Sequence, residues 1–144
     1  MTLEEILRSK GSDVFTITPD ATLEDVVQSL VARNCGSLVV CEDDGSGTMV
    51  GIVTERDILR ACAAHRGSLD SVRVRAIMTG RLVTASPADE VEEVMGVMTQ
   101  QRIRHLPVVE EGRLVGLVSI GDIVKAQHHH LTMENHYLKE YIQI

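Results

Sequence analysis

Tryptophan is absent from this 144-residue chain, and its aromatic residues are Phe15, Tyr137 and Tyr141 alone. The core must therefore be built from Val, Leu, Ile, Met and Ala, and a planar ring bound here would pack on aliphatic groups. Basic charge is also short. Fourteen Lys and Arg stand against 21 Asp and Glu, for a net charge of −7. A nucleic-acid partner normally requires a basic face, so none is expected. No apolar run approaches the roughly 18 residues that cross a bilayer. The opening Met1-Thr2-Leu3-Glu4-Glu5 is acidic, unlike a secretory signal. No membrane partner is expected, and a cytoplasmic location follows by default. Cys35, Cys41 and Cys62 form no CxxC pair and read as reduced, packed small hydrophobes.

Chemical motifs of the usual catalytic kinds are missing as well. Gly45-Ser46-Gly47 has no following lysine and helix, so it is not a phosphate loop. No Ser–His–Asp or Cys–His set stands out, and Cys35 beside Gly36 reads as packing. The run His128-His129-His130, with His136, lacks Cys or carboxylate ligands at fixed spacing, so no specific metal site is expected.

What the chain does have is a repeat. Gly51-Ile52-Val53-Thr54-Glu55-Arg56-Asp57 returns 65 residues later as Gly116-Leu117-Val118-Ser119-Ile120-Gly121-Asp122. Each copy follows an apolar run and precedes a helical pattern. Thr2 and Glu5 have capping-box spacing for a short first helix with Leu3, Ile6 and Leu7 on one face. Val14-Phe15-Thr16-Ile17 reads as a strand. Leu23, Val26, Val27, Leu30 and Val31 mark a helix capped by Thr22 and Asp25. Leu38–Cys41 and Met49–Val53 read as a hairpin around a Gly-rich turn, and Thr54 opens a helix through Ile58, Leu59, Ala61 and Cys62. The second copy repeats this order. A strand is expected at Leu82-Val83-Thr84, a helix at Val91, Val94, Met95 and Met98, and a hairpin about Glu110-Glu111-Gly112-Arg113. Ser119 then opens a helix. Leu131–Ile144 reads as a separate amphipathic helix with Met133, Tyr137, Leu138, Tyr141 and Ile142 on one face. It suits either covering its own subunit or a dimer contact. The expected organisation is an N-terminal helix over 1–13, repeats over 14–64 and 76–126, a polar linker over 65–75 and a C-terminal helix over 127–144.

The two Gly-x-x-Thr/Ser-x-x-Asp endings and the stretch Ile103-Arg104-His105-Leu106-Pro107-Val108-Val109, set in a doubled β-α-β-β-α order, resemble a tandem pair of CBS domains. This is the regulatory module named after cystathionine beta-synthase, and the resemblance covers residues 14 to 126. It implies an α/β (α+β) fold of two β-α-β-β-α repeats packed sheet to sheet with pseudo-two-fold symmetry. It also implies a stand-alone, non-enzymatic homodimer that binds an adenosine-containing small molecule such as AMP, ADP or ATP and acts on an unidentified protein partner. No cofactor would be required beyond that regulatory ligand.

The hydroxyl–carboxylate pairs carry the chemistry. An ionised carboxylate only accepts hydrogen bonds, so Asp57 with Thr54, and Asp122 with Ser119, suit the two hydroxyls of a ribose. The adjoining helix N-termini favour a phosphate. The same spacing also describes a helix cap, in which case the chain would be a ligand-free structural or interaction module. In the family it resembles, basic residues before the repeated strand reach phosphates. Arg102, Arg104 and His105 stand there, whereas the first repeat has the uncharged Asn34-Cys35-Gly36. Arg56 adds a charge to the first pair. Adenine could lie between Val14 and Ile17 in one repeat and Ile77 and Val83 in the other. Gly51 and Gly116, in mid-strand, suggest close approach of another backbone or a ligand.

Overall fold

A computed structural model describes residues 1–64 and 67–143. The first two residues of the expected linker, His65 and Arg66, and the last residue of the tail, Ile144, lie outside the described residues. The chain divides into two compact units that do not follow sequence order: one is 14–83, the other 1–13 with 84–144.

In the 14–83 unit, β1 (Thr16–Ile17) pairs in parallel with β2 (Ser37–Cys41), and β2 pairs antiparallel with β3 (Met49–Thr54). Helices α2 (Leu23–Arg33), α3 (Glu55–Ala64) and the one-turn α4 (Val74–Ile77) accompany this sheet, with a 3-10 turn at Leu69–Ser71. Thr22 and Asp25 form the expected reciprocal cap of α2. Leu23, Val26 and Leu30 meet Leu38, Val40, Val53, Ile58, Ala61 and Val74 in one core. Burial of each Leu, Val or Ile side chain among them contributes about 1.5–3 kcal/mol. Two expected core positions are instead on the surface: Val31 is 77% exposed and Leu59 70%.

In the other unit, α1 (Leu3–Lys10) joins α5 (Val91–Gln101), the hairpin β4 (His105–Glu110) and β5 (Arg113–Ser119), and α6 (Ile120–Gln143). Leu3, Ile6, Leu7, Val91, Val94, Met98, Leu106, Val108, Val118 and Ile123 are among its buried side chains. The hairpin turns on Glu111 and Gly112, both at positive φ (50° and 76°), the backbone of a type I′ turn.

Three local expectations are corrected. The strand at Leu82-Val83-Thr84 does not form; only Ala85 bridges to Val108. The reason is Pro107. In the 14–83 unit the Val39 amide donates to Phe15 O, which extends β1. At the equivalent place proline has no N–H to give, so the pairing stops at one residue. Thr2 is the N-cap of α1, but its side chain makes no cap bond. The first amides of that helix are satisfied elsewhere, by Asp89 O and Pro87 O. The tail is not separate: α6 runs unbroken for 24 residues. Its Tyr137, Leu138, Tyr141 and Ile142 are 58–80% exposed, so they are not part of the buried core among the described residues.

The leading helices explain the crossed units. Leu23 N donates to Val72 O and Val74 N to Ala21 O. Likewise Val91 N donates to Met1 O and Leu3 N to Asp89 O. α4 thus serves the unit of α2, and α1 that of α5. The mid-strand glycines admit these same segments. A Cβ on Gly51 would lie 2.8 Å from Met78 Sδ and 3.0 Å from Thr79 O, and one on Gly116 2.6 Å from Leu7 Cδ2. The expected approach of another backbone is made at Gly51, by Thr79 O, whereas at Gly116 a side chain, Leu7, comes close instead.

Candidate functional site

Each antiparallel hairpin ends on a hydroxyl and passes directly into a helix. β3 ends at Thr54 and α3 begins at Glu55. β5 ends at Ser119 and α6 begins at Ile120. One turn later a carboxylate folds back on the junction. Thr54 N donates to Asp57 Oδ2 at 2.9 Å, Thr54 Oγ1 donates to the same oxygen at 3.2 Å, and Asp57 N donates to Thr54 Oγ1 at 3.4 Å. Ser119 N donates to Asp122 Oδ2 at 2.9 Å and Asp122 N to Ser119 Oγ at 3.1 Å. Both pairs therefore are reciprocal helix caps. Capping uses Oδ2 in each, and among the described residues Oδ1 of either carboxylate accepts no hydrogen bond. A carboxylate offers about four acceptor positions, so caps of this kind leave acceptor capacity at the helix mouth. Both aspartates are half-buried.

The two junctions differ in charge. Lys10, from the end of α1, donates to Asp122 Oδ2 at 2.7 Å and to Leu117 O at 2.7 Å. Burial pushes the Asp122 carboxyl up. The Lys10 hydrogen bond, the Ser119 amide, the Lys10 charge and the Ser119 hydroxyl outweigh it and hold the carboxyl below its ordinary value. A depressed folded-state value means stability that is present above the ordinary carboxylate range and lost as pH falls through the depressed value. Asp122→Asn is therefore expected to flatten the acid side of the stability profile. Urea unfolding at pH 3 and pH 6 checks this: the wild type should lose more stability than the variant between the two. No cation contacts Asp57 among the described residues. A groove of about 400 Å³ opens beside Asp122 and is lined in part by Lys10, Lys125, Glu5 and His129.

The other expected site residues distribute unevenly. Arg56 is exposed in the first turn of α3, between Thr54 and Asp57. Arg102 ends α5 in the left-handed conformation, φ 56°, as Asn34 ends α2 at φ 50°. Arg104 is exposed, and its carbonyl accepts from Ile120 N at the start of α6. His105 lies opposite Ser119 in the hairpin register. The side chains of Arg56, Arg102 and Arg104 make no ion pair or hydrogen bond among the described residues. Arg102, Arg104 and His105 thus belong to the unit of Asp122, and Arg56 to that of Asp57. The adenine candidates do not divide one pair to a unit. Val14, Ile17, Ile77 and Val83 are all half-buried and all lie in the 14–83 unit. Ile17 and Ile77 pack against its core. The sequence reading missed Lys10. Its signal was the longer repeat of the leading helices, in which Ile6-Leu7 matches Ile77-Met78 and Lys10 falls opposite Arg81. Among the described residues no group of three His, Cys, Asp or Glu side chains is placed to hold a metal ion. Two of the four histidines of α6 pair locally, His130 with Glu134 and His136 with Glu140. Among the described residues no helix is long and apolar enough to cross a membrane.

Fold and junctions together define a duplicated α/β regulatory module, with one hydroxyl–carboxylate strand-to-helix junction in each unit. The chain belongs to the CBS-domain family, whose profile matches residues 3–64 and 74–129. It is 38% identical over 148 aligned residues to the mitochondrial CBS domain-containing protein CBSX3 of Arabidopsis thaliana, covering 99% of this chain and 72% of that one. The crystal structure of a CBS-domain containing protein from Agrobacterium tumefaciens matches with a TM-score of 0.83 at 37% identity, over 88% of this chain and 92% of that one. The CBS domain pair of protein MJ0100, solved in complex with 5′-methylthioadenosine and S-adenosyl-L-methionine, matches with a TM-score of 0.77 at 25% identity. That match covers 90% of this chain and 98% of the other.

Proposed function

We propose that this chain is a non-enzymatic regulatory module that binds an adenosine-containing ligand of the AMP, ADP or ATP type and signals to a protein partner. The observation that carries this reading is Asp57. Its Oδ2 is fixed by the Thr54 cap, its Oδ1 takes no hydrogen bond among the described residues, and no cation neutralises it there. A rigid, charged acceptor at a helix mouth suits the paired hydroxyls of a ribose, with Arg56 beside it for a phosphate. The adenosyl ligands bound by the MJ0100 pair support the class of ligand. Ligand would shift the conformational equilibrium of the module by as much as it prefers one state. A homodimer, a cytoplasmic location and phosphate roles for Arg102, Arg104 and His105 belong to the same proposal.

Differential scanning fluorimetry with AMP, ADP, ATP and S-adenosylmethionine tests it. A ligand at a hundred times its Kd stabilises by about 2.7 kcal/mol, or about 5–10 °C in Tm for a chain of this size. At least one of the four is expected to reach that range. A second reading rests on the complete caps at both junctions: the aspartates serve helix initiation alone and the chain is an interaction module. No shift with any of the four compounds would favour it.

A further inference from the structure

The two junctions are equivalent in sequence and both are capped, yet among the described residues a cation contacts the carboxylate of Asp122 alone. The difference traces to the leading helices. α4 stops after one turn, so the backbone of Thr79 reaches β3: Thr79 N donates to Ile52 O at 2.9 Å and Ile52 N to Thr79 O at 3.1 Å. α1 continues for eight residues, and among the described residues no such backbone pairing forms at β5. The carbonyl of Leu117, which corresponds to that of Ile52, is taken by the Lys10 ammonium instead, and the same ammonium lies on Asp122. Arg81, the counterpart of Lys10, is exposed and makes no hydrogen bond or ion pair among the described residues. The Lys10–Asp122 pair is partly sheltered, with side chains 36% and 26% exposed.

We infer that Lys10 is an internal competitor for the Asp122 carboxylate, so that the Asp57 junction binds a ribosyl ligand and the Asp122 junction is closed until Lys10 is displaced. This rests on the ribose-binding reading above. Neutral hydroxyl donors cannot match a charged donor already at 2.7 Å, and the ammonium cancels the charge that strengthens their bonds. Each chain then presents one open junction and one closed one, and Lys10 sets the difference in affinity between them.

Isothermal titration with AMP tests the inference in the Asp57→Ala background, where the first junction is disabled. Adding Lys10→Met, which keeps the length of the side chain and removes its charge, is expected to tighten AMP binding about tenfold or more. Lys10→Arg should leave it unchanged, and further addition of Asp122→Ala should abolish the gain. A carboxyl titration by NMR gives a readout without ligand: Asp122 should titrate higher in Lys10→Met. If Lys10→Met leaves AMP binding unchanged or weakens it while wild type binds AMP through Asp57, Lys10 is no competitor, and the reading of Asp57 stands. If neither wild type nor any variant binds AMP, ADP, ATP or S-adenosylmethionine, the ribose reading itself falls, and the inference with it.

Discussion

Asp57→Ala is expected to weaken adenosyl-ligand binding by about a hundredfold or more. Two hydroxyls on one carboxylate are two charge-assisted hydrogen bonds, at about 1.5–3 kcal/mol each, and every 1.4 kcal/mol is about tenfold in affinity. The substitution also removes a cap. Thr54 N and Thr54 Oγ1 both lose their acceptor, which costs the fold about 0.5–2 kcal/mol. The two losses are separable. Asp57→Asn keeps a carbonyl oxygen for the cap and removes the charge. It should therefore unfold close to the wild-type temperature and still lose most of its affinity. Titration calorimetry and thermal unfolding of the two variants decide the matter. If Asp57→Asn binds as wild type does, the carboxylate acts in capping alone.

Gly116→Ala has the largest effect expected on the fold. The added Cβ would lie 2.6 Å from Leu7 Cδ2 and 2.8 Å from Leu7 Cδ1, closer than carbon atoms pack. Leu7 is buried, so it cannot swing aside into solvent. Overpacking of this kind costs about 1–3 kcal/mol. Alanine's better fit to a strand returns only about 0.5–1 kcal/mol, so strain wins and Tm falls by several degrees. Leu7→Ala removes the atoms that clash. In that background Gly116→Ala should cost little, and a double-mutant cycle from urea unfolding should show strong coupling. Additive effects would mean that α1 does not pack on Gly116.

Much of this was legible in the sequence because the repeated signals are local. A Gly-x-x-Thr/Ser-x-x-Asp ending sets a strand, a cap and a helix within seven residues, and Thr22 with Asp25 does so for α2. What was hidden depends on partners far along the chain. The lost strand before Ala85 turns on one missing amide at Pro107, 22 residues away. At Thr2 no side-chain cap forms, and distant carbonyls, Asp89 O and Pro87 O, accept from the first two amides of α1 instead. Val31 and Leu59 share the spacing of core residues but lie on open faces. At the site, capping geometry was readable from spacing, whereas the charge on Asp122 was not. Lys10 and Asp122 are 112 positions apart, and only the exchange of leading helices brings them together.

The most direct measurement is a crystal structure of the protein soaked with AMP. The ribose 2′- and 3′-hydroxyls are predicted within hydrogen-bond distance of Asp57, with the Thr54 cap intact and Lys10 still on Asp122. Nucleotide bound away from Asp57, or none at saturating concentration, would contradict the account.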